Sequence, residues 1–204
     1  MQDRLQAAPD GPVPVIHRGP HAIYLDLDGR CLGVLAASAV RVPCALQTRL
    51  DVLPDVRTAR VQGGTLHLDD VPLRVGRITA TRVPPLRRER LGGLREEVAR
   101  LLGAGDGLTP YGDDVLCGWL AVHRAAGHDT TAVDDAVRAG WHRTTELSAA
   151  LLECALHGEV IPEFAAYVAA LGTEREQAAA DALRRVGHTS GAGLLEGAGW
   201  ALAA

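Results

Sequence analysis

Between residues 103 and 114 the chain reads Gly-Ala-Gly-Asp-Gly-Leu-Thr-Pro-Tyr-Gly-Asp-Asp, with Gly103, Gly105, Gly107 and Gly112 inside this one stretch. Glycine has no Cβ, so such a loop can turn its backbone amides onto an anion at close range. A helical pattern begins at about Gly112, and a helix start contributes unpaired N–H groups and the positive end of its dipole. Gly105, Gly107, Leu108, Thr109 and Gly112 are therefore candidate anion-binding positions. Asp113 and Asp114 head the same helix, where acidic residues stabilise the dipole by roughly 0.3–1 kcal/mol. Successive helical side chains diverge by about 100°, so the two carboxylates are not expected to face one ligand. One can cap while the other orients a substrate amide or a cation. The spacing fits neither a Walker loop nor a strand-to-helix dinucleotide turn.

Two further stretches carry polar groups at helix junctions. In Gly187-His-Thr-Ser-Gly191, Gly187 can end one helix and Thr189 or Ser190 can cap the next. His188 lies in the turn between them, and imidazole suits acid–base work near neutral pH. Thr144-Thr145-Glu146-Leu147-Ser148 opens another helix. Thr145 and Ser148 share one face of it, although helical hydroxyls commonly bond the preceding turn's carbonyl. The remaining histidines form no H-E-x-x-H run and no G-x-S-x-G elbow occurs, so neither a metal site nor a serine nucleophile is expected. No cofactor is implied.

Composition narrows the classes. The chain has 204 residues, is 47% hydrophobic and 23% charged, and carries a formal charge of −4. It can bury a core, and its overall charge recruits neither nucleic acid nor an anionic membrane. All 21 basic residues are Arg; Lys and Asn are absent, which excludes a Schiff-base lysine and a Walker lysine. Cys31, Cys44, Cys117 and Cys154 are far apart, so zinc-ribbon and thioredoxin-type readings fail. No apolar run is long enough for a membrane span, and the first 14 residues lack the apolar run of a signal peptide. A reduced, cytoplasmic protein is expected.

The elements that must position these stretches fall into two regions. The first, residues 1–86, reads as β-rich. Ala22 to Leu27 alternates, Asp28-Gly29 makes a hairpin turn, and Cys31 to Leu35 returns. Val40 to Leu46 is a third strand, pushed to an edge by Pro43. Thr65 to Leu68, the turn Asp69-Asp70, and Leu73 to Ile78 make a second hairpin. Arg74 to Arg100 holds eight Arg against three Glu, a solvated linker and helix face or a basic surface for an acidic partner. The second region, 87–204, has helical periodicity: Leu91 to Leu102, Gly112 to Ala126, Ala132–Ala139, Thr144–Leu156, Pro162–Leu171, Glu174–Val186 and Gly191–Ala203. The fold class is α+β, an antiparallel small sheet or barrel followed by a helical bundle.

Taken together, Gly103 to Asp114, Thr144 to Ser148 and Gly187 to Gly191 resemble, in that order, the motifs of a bacterial family catalogued as a domain of unknown function. That family includes the small subunit, AllH, of the oxamate carbamoyltransferase of anaerobic allantoin breakdown, a branch of purine catabolism. One position departs from its pattern: Tyr111 stands where a small residue is usual. The resemblance implies carbamoyl phosphate and a small acid amide such as oxamate as ligands, and other transferase subunits as partners. It implies that the 103–114 loop and the 187–191 turn share one pocket lined by Thr145 and Ser148. Asp113 would orient an amide or a cation, and His188 would shuttle a proton or donate to an oxyanion. Two other classes remain open: a non-catalytic scaffold or assembly subunit, and a stand-alone hydrolase for a ureido compound.

Overall fold

The computed structural model describes residues 2–203, which divide between 80 and 81 into two compact units. After a short helix α1 (Gln2–Ala7), the first unit is built from two four-stranded sheets. One has the order β1 (Gly11–Pro12), β6 (Ala59–Gln62), β7 (Thr65–Leu68), β8 (Val71–Pro72). The other runs β2 (Val15–Arg18), β3 (Ala22–Asp26), β4 (Cys31–Leu35), β5 (Ala45–Gln47). The expected β3–β4 hairpin forms: Asp28 and Gly29 take φ of 54° and 74°, and Leu27 and Arg30 exchange backbone hydrogen bonds. Both positive angles belong to the turn type that matches strand twist. Alternation then buries Ile23 and Leu25 beside Leu32 and Val34, in a core shared with Val61 and Leu66.

Three expectations change here. The strand foreseen from Val40 shrinks to β5, and it pairs parallel to β4 at the sheet edge, so the first region is not wholly antiparallel. Pro43 lacks the donor that would carry the ladder further. Thr65–Leu68 finds its longer partner upstream, in β6, across the Gly63-Gly64 turn. The return after Asp69-Asp70 stops after β8, with one further bond from Leu73 N to Leu66 O, and residues 74–80 lie exposed outside any strand.

The second unit begins with an extended segment along its helices: Val83 N donates to Gly158 O, Leu86 N to Ala125 O and Gly92 N to Ala201 O. The helix expected from Leu91 is reduced to α2 (Val98–Leu101). Gly92 explains this, since it lies so close to the Trp200 carbonyl that a Cβ would overlap it, and the Gly92 carbonyl accepts from Trp119 Nε1. The remaining helices are α3 (Tyr111–Ala126), α4 (Thr131–Ala139), α5 (Glu146–Leu156), α6 (Pro162–Ala170), α7 (Glu176–Arg184) and α8 (Ser190–Leu202). α3 is buried along almost its whole length and packs against α5 and α8. Gly118 and Gly197 let α3 and α8 approach until backbone meets backbone, which no side chain would permit. All four cysteines are buried, and no disulfide joins them. No helix among the described residues is long and apolar enough to cross a membrane.

Candidate functional site: three helix starts around a glycine loop

The loop between α2 and α3 bends because Gly103, Gly105 and Gly107 adopt φ of 75°, 117° and 93°. These angles strain any residue with a Cβ. The loop returns so tightly that Gly112 lies against the Leu101 carbonyl and Gly103 against the Arg143 carbonyl. Residues 104–108 are exposed, and the amides of Gly105, Asp106, Gly107, Leu108 and Thr109 meet no protein acceptor among the described residues.

Asp113 explains how the loop is held. Its side chain is 0% exposed. Oδ1 accepts from Gly103 N at 2.7 Å, while Oδ2 accepts from Ser148 Oγ at 2.7 Å and from Thr144 Oγ1. One carboxylate thus ties the loop, its own helix and the start of α5 together. Thr145, the N-cap of α5, accepts from Ser148 N at 3.0 Å and donates its hydroxyl to Leu108 O at 2.6 Å. A third helix start joins from the other side, where Thr109 Oγ1 and Ser190 Oγ are 2.9 Å apart. The three stretches singled out above therefore converge, and the first turns of α3, α5 and α8 gather around one loop. Each brings the positive end of its dipole, but several first-turn amides are already bonded, Asp113 N to Pro110 O and Ser148 N to Thr145 Oγ1. Gly112, expected among the anion-binding positions, is buried with its amide on Ala104 O.

The adjacent carboxylates diverge as helical geometry requires. Asp113 faces α5; Asp114 faces α8, where Gly193 admits its Cβ. Asp114 is 5% exposed, and its Oδ2 is buried with no hydrogen-bond partner. Burial pushes its pKa up to about 7; the Ser190 hydroxyl opposes that rise and the Asp113 charge adds to it. Tyr111 donates to Glu196 of α8, and burial together with that pairing pushes its hydroxyl up to about 12. His188 is exposed on its turn, without a hydrogen-bond partner among the described residues. Thr189 stands at the N-cap of α8 but makes no side-chain cap bond.

Sequence reasoning missed several participants. Thr144 is a direct Asp113 partner, and Gly193 makes room for Asp114. The Ser148 hydroxyl bonds Asp113 rather than the preceding turn. The acidic run alone holds no information about these partners, since each lies more than 30 residues away. Other buried polar groups of this unit are paired structurally: Asp134 with Arg124 and Thr130, Glu153 with Arg138 and His157. No group of side chains suited to a metal ion occurs among the described residues.

An exposed glycine loop pinned among three helix starts defines a class of site, a cradle of backbone donors with buried carboxylates behind it. The family described as oxamate carbamoyltransferase subunit AllH matches residues 101–202, half of the chain and all three stretches. The chain belongs to this family. No curated protein and no solved structure matches it.

Proposed function

We propose that this chain is a subunit of a multi-subunit carbamoyltransferase and that the 103–109 loop, with the first turns of α5 and α8, binds a small anion, carbamoyl phosphate or an acid amide such as oxamate. The observation that carries the reading is the junction itself. Three helix N-termini meet at a loop whose exposed amides have no protein acceptor. Each helix start favours an anion by about 0.3–1 kcal/mol in exposed settings and more where water is excluded. Departure of phosphate needs charge stabilisation, which backbone donors supply without a lysine or a covalent nucleophile. Gly105, Gly107, Leu108 and Thr109 contribute amides, as do Thr189 and Ser190. His188 donates from the rim. Asp113, Thr145 and Ser148 hold the loop's shape rather than touch the ligand, because their polar atoms already bond one another or the loop.

Thermal or chemical unfolding of the whole chain with carbamoyl phosphate, and separately with oxamate, tests this. A ligand at 100 times its Kd adds about 2.7 kcal/mol of stability. Gly107→Ala, where a Cβ meets nothing within 4 Å but the φ is strained, should fold and lose that gain. The absence of any gain in the wild-type chain removes the site and favours the scaffold reading. The exposed basic run from Arg74 to Arg100 would then be the first surface to test against the partner subunits.

A further inference from the structure

We propose that residues 74–80 are a docking strand that adds to an exposed sheet edge of an acidic partner protein, another subunit of the transferase. Only the partner's identity rests on the subunit reading. The strand does not depend on the ligand site.

The segment is held at its start and left unpaired beyond it. β8 ends at Pro72, Leu73 N donates to Leu66 O, and the Leu73 side chain packs on the core of the β unit. Residues 74–80 then run exposed, and none of their amides or carbonyls has a hydrogen-bond partner among the described residues. No positive φ bends the run. Val75, Ile78 and Thr79 are β-branched, the side chains a pleated strand accommodates best. Ile78 is 73% exposed, more than any other large hydrophobic described. A connector that only spans water is built from small and polar residues instead.

Charge selects what pairs with it. The chain has no acidic residue between Asp70 and Glu89, and Arg74 and Arg77 are exposed with no ion pair among the described residues. With the two-residue period of a strand, Val75 and Arg77 share one face, and Arg74 and Ile78 the other. Each face thus offers an apolar anchor and a cation. An edge strand carrying apolar and acidic side chains answers both. A second copy of this chain does not, because it sets both arginines against both arginines with no carboxylate in either segment. A lipid surface would take up the apolar side chains and leave the backbone groups unpaired. A nucleic acid finds no aromatic ring here to stack on.

The test uses the full chain co-expressed with the other transferase subunits. Amides from 74 to 80 should exchange fast in the chain alone. In the complex alternate amides should be protected, since one edge of the strand is paired. Val75→Ser with Ile78→Ser should weaken assembly about tenfold or more. Arg74→Glu with Arg77→Glu should weaken it and flatten its salt dependence. All four side chains are exposed, so these variants keep the fold, and Leu50→Ser at another exposed apolar position should change nothing. A complex in which 74–80 still exchange freely, or one that tolerates both double variants, overturns the docking strand and leaves the subunit reading standing. Failure to assemble with any of the other subunits overturns that reading and this inference with it. The full chain is also mixed with phosphatidylserine vesicles and with duplex DNA. Capture by either that Arg74→Glu with Arg77→Glu abolishes overturns the protein partner.

Discussion

The two units bury different things. Among the described side chains of residues 4–80 the buried ones are all apolar, while every buried polar or charged residue described, including Asp113, Asp114, Asp134, Ser148 and Glu153, lies in the helical unit. In the β unit the carboxylates serve turns at the surface: Asp26 accepts from Gly29 N, and Asp69 from Arg57 N and Thr58 N. A surface carboxylate trades one set of water bonds for another at little cost, whereas a buried one must be matched donor by donor. The family match covers the helical unit alone.

The contrast can be broken most severely at the α3–α8 contact. Gly118→Ala and Gly197→Ala each put a methyl into a backbone carbonyl, of Leu194 and Val115. Each should cost about 3 kcal/mol or more, since rigid backbone cannot yield as side chains do. Gly199→Ala, with open space around it on the same helix as Gly197, should instead stabilise by about 0.5–1 kcal/mol. Denaturant titrations read all three. If Gly197→Ala is as neutral as Gly199→Ala, the helices do not pack backbone to backbone.

Next comes Asp113→Ala, which strands Gly103 N, Thr144 and Ser148. A loss on the order of 3 kcal/mol is expected, together with faster amide exchange at Gly103. Asp114 should behave in the opposite sense. Its folded pKa is raised to about 7, so its contribution is fully present below the unfolded value of about 4 and is lost as pH rises to about 7. Wild-type stability should therefore fall relative to Asp114→Asn across that window, by at most about 1.4 kcal/mol per pH unit. A parallel profile for the two proteins would place Asp114 in a wetter setting.

The smallest effect belongs to the β unit. Asp69 has its pKa lowered, first by the amides of Arg57 and Thr58. Its contribution is present above the ordinary carboxylate range and is lost as pH falls through the folded value. Asp69→Asn should thus flatten the acid limb of the stability curve, by less than the change seen at Asp113. An effect as large as that at Asp113 would erase the distinction between surface and buried carboxylates.

Local chemistry made much of this readable. The Asp28-Gly29 turn, the α3 start near Gly112 and Pro162 at the first turn of α6 follow from φ preferences and hydrophobic period over a few residues. The failures share one cause. The periodic Leu91–Leu102 run yields to Gly92, whose position depends on Trp200, and Thr65–Leu68 chooses β6 over the expected longer return. In both cases a distant partner outweighs local preference.

The amino-acid order alone determined the α+β division, the glycine loop and the divergence of Asp113 from Asp114, because those depend on backbone freedom and on the 3.6-residue turn. Tertiary structure decided which carboxylate is saturated and which is left with an unpartnered oxygen. That depends on hydroxyls at 144, 148 and 190 and on the missing Cβ of Gly193, and burial and hydrogen bonding exist only once those residues are in place.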